Sequence, residues 1–112
     1  MLQQIGYRQL LARYVKWQGD WTRCIYCSRL SEAEDHVLPL NVAKRLPWID
    51  WPEEILVIVP CCNQCNSIAR DLLFTKLESK RLYIQQELKL RAFKLYLDEL
   101  TSMEGPFVSK SM

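Results

Sequence analysis

The chain has 112 residues, 49% of them hydrophobic and 25% charged, which is typical of one small globular domain. The net charge of +2 permits nucleic-acid binding but does not argue for it. The longest apolar run, residues 55–62, is far shorter than the ~18 residues that suggest a membrane span, and the N-terminus lacks the apolar stretch of a signal peptide. We expect residues 1–112 to form a single domain in the cytoplasm, a reducing compartment.

The first predicted element is an N-terminal helix over residues 1–18. Apolar side chains recur there mostly at helical spacing, and Gly19-Asp20 follows as the end of the pattern. Three basic residues, Arg8, Arg13 and Lys16, are predicted to lie on the more hydrated side of this helix.

Five cysteines fall into two groups, Cys24-Ile-Tyr-Cys27 and Cys61-Cys62-Asn-Gln-Cys65. Two C-x2-C pairs are typical of a zinc ribbon or of treble-clef knuckles, in which two tight turns complete a tetrahedron of thiolates around Zn²⁺. We predict a structural zinc bound by Cys24, Cys27, Cys62 and Cys65. Cys61 has the wrong spacing and is predicted to be a free thiol. The alternative, five buried apolar cysteines, is disfavoured because both pairs share the same spacing.

Between the two cysteine pairs, Pro39 and Pro47 interrupt regular structure. Residues 39–54 are therefore predicted to be a loop with at most a short helix. Trp48 and Trp51 make this loop unusually aromatic. It is either a lid over a small core or an exposed binding surface.

The second half of the chain is predicted to contain one strand and a long helical region. Residues 55–59 are β-branched and apolar, with prolines nearby on both sides, which indicates a strand. From residue 66 to residue 103 there is no Gly or Pro, so we expect one long helix or two helices broken near Glu78–Lys80. Its Lys and Arg residues alternate with acidic ones and are predicted to lie on the helix surface. Two apolar seams follow this helix: Leu77, Ile84 and Leu88, and Leu90, Phe93, Leu97 and Leu100.

Residues 24–70 resemble the HNH endonuclease family in its four-cysteine form. The resemblance rests on the order of three motifs: Cys24-x2-Cys27, then Asp35-His36-Val-Leu-Pro39, then Cys62-x2-Cys65-Asn66. It implies an α+β fold with a zinc-stapled ββα-metal core, treble-clef-like, over residues 21–72. The N-terminal helix and a helical extension over residues 73–104 would flank this core, and residues 105–112 would form a tail.

The resemblance also implies a site that hydrolyses DNA phosphodiester bonds with the help of a divalent cation. Asp35 and Asn66 would bind a catalytic Mg²⁺ or Mn²⁺, since oxygen ligands suit hard cations. His36 would be the general base, and Arg70 would contact a phosphate. Small proteins of this family are frequent in phages and mobile elements.

Two positions depart from the family pattern. Val57 stands where a middle Asn is usual, and Ala69 stands where a Lys is usual. The missing middle Asn and the long leucine-rich helical region after the second cysteine pair motivate an alternative, a catalytically inactive HNH-derived zinc module that binds DNA or a partner protein, with its C-terminal helix in a homodimer or against that partner. A zinc-finger regulator of DNA is a third interpretation. Basic residues that fit either phosphate contacts or an ordinary solvated surface are Arg8, Arg13, Lys16, Arg23, Arg29, Lys44, Arg45 and Arg70.

Overall fold

The computed structural model describes residues 2–110, and the side chains of residues 6–102 among them. The fold is α+β, as predicted, with a small sheet and four α-helices in the described range. In chain order the elements are α1 (Leu2–Ala12), β1 (Val15–Lys16), β2 (Ala33–His36), α2 (Leu40–Arg45), a 3-10 turn (Glu53–Ile55), β3 (Val57–Cys61), α3 (Asn63–Ala69) and α4 (Leu77–Lys110).

The described strands form one sheet in the order β1-β3-β2. β2 runs antiparallel to the central strand β3, with Asp35 opposite Val59 and His36 opposite Ile58. β1 runs parallel to β3 on its other edge. The Asp-His pair therefore lies on an edge strand, directly beside the strand that leads into the second cysteine pair.

The strand predicted over residues 55–59 lies two residues later, at Val57–Cys61. Ile55 instead ends the 3-10 turn, which begins after Pro52. Pro60 is tolerated within β3 because its carbonyl accepts from the Ile25 N–H, on the side away from β2 and beyond the end of β1. None of the described strands needs the N–H that this proline lacks.

The N-terminal helix is shorter than the predicted range of residues 1–18, because α1 ends at Ala12. Val15 then donates its N–H to the Leu56 carbonyl at 3.1 Å and begins β1. A β-branched residue that finds a strand partner favours the extended backbone, and this tertiary contact outweighs the helical spacing in the sequence.

The long helical region is broken earlier than predicted. α3 ends at Ala69, and α4 begins at Leu77, so the break precedes Glu78–Lys80. Arg70, the residue after α3, has φ 19° and ψ −107°, which directs the chain out of the helix. The short α3 can therefore stay with the cysteines, while α4 packs against α3 and contacts β2 through Lys80.

α4 continues to Lys110, beyond the point where the tail over residues 105–112 was predicted to begin. Residues 111–112 lie outside the described range. Among the described helices, none is both long and apolar enough to cross a membrane.

The core lies between the sheet, α3 and the first turns of α4. Its most buried members include Val37, Leu38, Ile55, Leu56, Val59, Ala69 and Ile84. In the aromatic loop, Trp51 is buried and its Nε1 donates to the Leu46 carbonyl at 3.0 Å. Trp48 is 61% exposed. Trp51 therefore covers the core, and Trp48 lies on the surface.

A buried ion pair fixes α4 to β2. The side chains of Lys80 and Asp35 are 0% and 5% exposed, and Lys80 Nζ lies 3.0 Å from Asp35 Oδ2. Lys80 also donates to the Val37 carbonyl at 3.1 Å, and the Tyr26 hydroxyl donates to Asp35 Oδ2. The prediction that the α4 lysines are surface residues is therefore wrong for Lys80. It is buried because each of its polar contacts lies on the inward side of α4.

Replacing Lys80 with Ala should lower the free energy of unfolding by about 3–5 kcal/mol, because it leaves the Asp35 carboxylate buried without a counter-charge. Lys76→Ala removes an exposed lysine one turn earlier and should change that free energy by less than about 0.5 kcal/mol. Denaturant unfolding of the zinc-loaded protein measures both variants. Equal stability of the two would contradict a stabilising role for the pair.

Candidate metal centre and adjoining cavity

The first cysteine pair lies in a tight turn that runs from Cys24 to Arg29. The Ser28 N–H donates to the Cys24 carbonyl at 2.9 Å, and the positive φ of Ser28, 68°, lets the chain reverse direction there. The Tyr26 N–H donates to Cys24 Sγ at 3.4 Å. The turn thus holds the sulfurs of Cys24 and Cys27 close to one another.

The second cysteine pair forms the start of α3. Cys62 is the N-cap residue of this helix, and its Sγ accepts from the Cys65 N–H at 3.4 Å. The Asn66 N–H donates to the Cys62 carbonyl at 2.9 Å. Because Cys65 and Asn66 belong to the same first turn, the helix links the sulfur positions rigidly to the position of Asn66.

The two pairs meet at one point. The Sγ atoms of Cys24, Cys27, Cys62 and Cys65 all lie within 4.8 Å of one another. Cys27 Sγ and Cys62 Sγ are 3.6 Å apart. A tetrahedral zinc with Zn–S bonds of ~2.3 Å needs sulfur–sulfur edges of about 3.8 Å. The predicted clustering is therefore confirmed, and the donor set fits a structural metal ion such as zinc.

The thiols of this cluster differ in acidity. Burial raises the pKa of Cys65 and that of Cys27. Burial also opposes ionisation of Cys62, but the Cys65 N–H and the neighbouring thiols donate to its sulfur, and the pKa of Cys62 is lowered overall. Since zinc binds thiolates, metal binding must release the protons of the thiols whose pKa is raised.

Cys61 lies next to the cluster in sequence but does not belong to it. It is fully buried in β3 and forms no disulfide. Burial and the nearby Asp35 carboxylate raise its pKa to about 12, so this thiol remains protonated at neutral pH. Strand alternation explains its separation from Cys62, since successive side chains of an extended chain point in opposite directions.

An open cavity of about 510 Å³ lies among β2, α2 and α3. Asp35, His36, Asn66 and Arg70, the four residues predicted to act on a phosphodiester, all line it. Its other polar lining residues are Glu34, Asn41, Asn63, Ser67 and Asp71. The structure therefore brings the predicted residues to one surface depression, together with two carboxylates that the sequence did not single out.

The Asp35 carboxylate is held by one of its oxygens. Lys80 Nζ and the Tyr26 hydroxyl both donate to Oδ2. Both of these contacts use Oδ2, and Asp35 also lines the cavity. Burial and the neighbouring Asp35 charge raise the pKa of Tyr26, so its hydroxyl stays a hydrogen-bond donor.

His36 is half-buried at the cavity wall. Its ring contacts the Tyr14 ring edge-on, with the ring centroids 5.1 Å apart, and the Tyr14 hydroxyl donates to the Leu38 carbonyl at 2.6 Å. Burial lowers the pKa of His36, while the nearby Asp35 and Glu34 charges oppose this shift. A lowered pKa favours the neutral imidazole at pH 7, the form that accepts a proton.

Three residues that support this site, Tyr14, Tyr26 and Lys80, were not predicted from the sequence. The sequence did contain a signal for Lys80. This lysine falls three residues after Leu77 and four before Ile84, so it lies on the same helix face as these two core residues. A lysine at a core position of a helix indicates a buried partner. Tyr14 and Tyr26 gave no comparable signal, since their contacts depend on how the chain folds back.

No protein-family model, no curated protein and no solved structure matches this chain. The resemblance to the HNH family stays a prediction. The functional assignment therefore rests on the residues and their geometry.

Loss of a clustered sulfur should abolish metal binding, whereas loss of the fifth sulfur should not. We expect Cys65→Ser to purify with little zinc and to be largely unfolded, because a three-sulfur site at this position no longer closes the tetrahedron. Cys61→Ala should retain the zinc content of the parent protein, since its sulfur lies outside the cluster. Elemental analysis with circular dichroism measures both properties. Loss of zinc from Cys61→Ala, with zinc retained by Cys65→Ser, would contradict the assignment of the four ligands.

Proposed function

We propose that this chain is an HNH-type, metal-dependent nuclease that hydrolyses DNA phosphodiester bonds in the cavity between β2 and α3. The observation that carries the proposal is the convergence of Asp35, His36, Asn66 and Arg70 on that one cavity. The order of elements supports it, because the antiparallel strands β2 and β3 lie between the two cysteine pairs and lead into the short helix α3, which resembles a treble-clef-like ββα-metal core.

The donor atoms of the cavity suit a hard divalent cation. Asp35 Oδ1 and the Asn66 side-chain oxygen would bind Mg²⁺ or Mn²⁺, and Glu34 and Asp71 would add negative charge nearby. Such a cation would neutralise charge on the scissile phosphate and on the leaving oxygen. Lys80 and Tyr26 would hold the carboxylate in one orientation through Oδ2.

His36 would take the proton from the attacking water. The Tyr14 ring packs against the imidazole and restricts its rotation, and the lowered pKa of His36 keeps it neutral at pH 7. Arg70 would donate to the phosphate oxygens at the same cavity. Because Glu34 and Asp71 repel a phosphate, DNA binding in this cavity would depend on the divalent cation.

A second candidate is a catalytically inactive zinc module of the same origin that binds DNA or a partner protein. The Asp35–Lys80 pair favours it, because a buried ammonium group at 3.0 Å already neutralises the carboxylate that would bind the cation. Val57 at the usual position of the middle Asn favours it as well. Both candidates require the four-cysteine cluster and the same fold. They differ in whether His36 matters for function.

A plasmid-nicking assay with Mg²⁺ or Mn²⁺ separates the two candidates. The zinc-loaded protein should cleave, and His36→Ala and Asn66→Ala should each reduce the rate by about a hundredfold or more, since they remove the general base or a cation ligand. Gln64→Ala, on the exposed side of the same helix, is the matched control and should keep the parent rate. Absence of cleavage by folded, zinc-loaded protein would reject the nuclease and favour the binding module.

A further inference from the structure

The second half of the described α4 carries apolar side chains that remain exposed to solvent. Every side chain from residue 89 to residue 99 is exposed. Among them, Leu90, Phe93 and Leu97 are 57%, 59% and 45% exposed, which is a large exposed apolar area for one helix. The first half of α4, in contrast, buries Lys80 and Ile84 against the domain.

These apolar residues share one face of the helix, opposite the face that packs on the domain. A helix turns by about 100° per residue, so residues that are spaced alternately by three and four positions lie on one face. The a and d positions of a coiled coil have this spacing. We call this face the α4 seam, and its residues are Tyr83, Gln86, Leu90, Phe93, Leu97 and Leu100. The residues that face the domain are Leu77, Lys80, Ile84 and Leu88. The first seam residue, Tyr83, contacts Phe74, with the ring centroids 5.6 Å apart. A second helix can therefore lie along the seam beyond Tyr83, where the seam side chains are exposed or half-buried.

We propose that the α4 seam pairs with the same seam of a second copy of this chain, as an antiparallel two-helix coiled coil. In this register Leu90 packs against the partner's Phe93, and Gln86 packs against the partner's Leu97. A two-fold axis repeats each contact, so the interface is self-complementary. The pairing does not depend on the proposed nuclease activity.

Charge complementarity selects the antiparallel orientation. With Leu90 at position a and Phe93 at position d, the antiparallel register places Glu87 beside the partner's Lys94, and the two-fold axis forms this ion pair twice. A parallel alignment would instead place Lys89 beside the partner's Lys94. Like charges at these flanking positions disfavour the parallel pairing.

The side chains that flank the seam are free to make these contacts. Within its own helix, Glu87 lies 3.5 Å from Arg91, and the Glu87 side chain is 33% exposed, so one carboxylate can contact both cations. Lys89 and Lys94 are exposed. From Tyr83 to Leu100 the seam is about 26 Å long at 1.5 Å per residue, which is short for a coiled coil. The dimer should therefore dissociate on dilution.

Sedimentation equilibrium of the full-length, zinc-loaded protein over a broad concentration range tests the pairing. We expect a monomer–dimer equilibrium, and Leu97→Glu should raise the dissociation constant by about a hundredfold or more, since each dimer loses two buried leucines. Leu95→Glu is the matched control, because Leu95 is 69% exposed on the same helix but lies outside the seam. It should leave the dissociation constant unchanged. Circular dichroism and zinc content establish that both variants are folded.

Two results would overturn the pairing. A wild-type protein that stays monomeric at all concentrations would show that the α4 seam does not pair with a second copy of this chain. Equal weakening by Leu97→Glu and Leu95→Glu would show that association does not use the seam.

Charge reversal tests the orientation. In the antiparallel dimer Lys94→Glu faces the partner's Glu87 and should weaken association by about tenfold, since each dimer exchanges two attractive contacts for two repulsive ones. The double variant Glu87→Lys with Lys94→Glu should restore it. In a parallel dimer Lys94→Glu would face the partner's Lys89 and strengthen association, which would overturn the antiparallel proposal.

Discussion

The convergence of four cysteine sulfurs is the constraint on which the rest of the structure depends. Cys27 and Cys62 are separated by 34 residues, yet their sulfurs lie 3.6 Å apart. Four thiolates at such distances repel one another strongly unless a cation lies among them, and a divalent ion such as zinc supplies the compensating charge. The segment between the two turns contains β2 and β3, so the cluster fixes where the Asp35-His36 strand lies relative to the start of α3. A core of this size gains materially from such a staple.

The buried Asp35–Lys80 pair adds a second constraint on the same strand. It joins α4 to β2 and requires that α4 carry a cation at a position where an apolar residue is usual. Burying both charges costs desolvation energy, so the pair is weak evidence for a net gain in stability. Its effect on geometry is more definite, since the Lys80 ammonium and the Tyr26 hydroxyl both contact Oδ2 and restrain the position of that oxygen. In a nuclease, this pair would orient Asp35 as a ligand for the catalytic cation. In an inactive binding module, the Lys80 ammonium would take the place of that cation.

Residue spacing was sufficient to predict the cysteine cluster, because two C-x2-C pairs form local turns whose sulfurs can meet at only a few geometries. The resemblance to the HNH family, which rests on the order of the motifs, predicted that Asp35, His36, Asn66 and Arg70 share one site, and all four line the same cavity. Spacing failed where tertiary contacts override local preference. Val15 pairs with β3 although it follows a helical pattern, and α3 ends at Ala69 although its flanking sequence favours helix. The buried role of Lys80 was missed because alternating charges on a helix usually indicate a solvent-exposed face.

The most direct test of the site is a crystal structure of the zinc-loaded protein soaked in Mn²⁺, with anomalous maps recorded at both metal edges. We expect a zinc peak among Cys24, Cys27, Cys62 and Cys65, and a separate manganese peak within coordination distance of Asp35 Oδ1 and the Asn66 side-chain oxygen. His36 should face the same manganese position. A zinc peak without manganese in the cavity, with Lys80 still paired to Asp35, would contradict the proposal that these residues form a nuclease site.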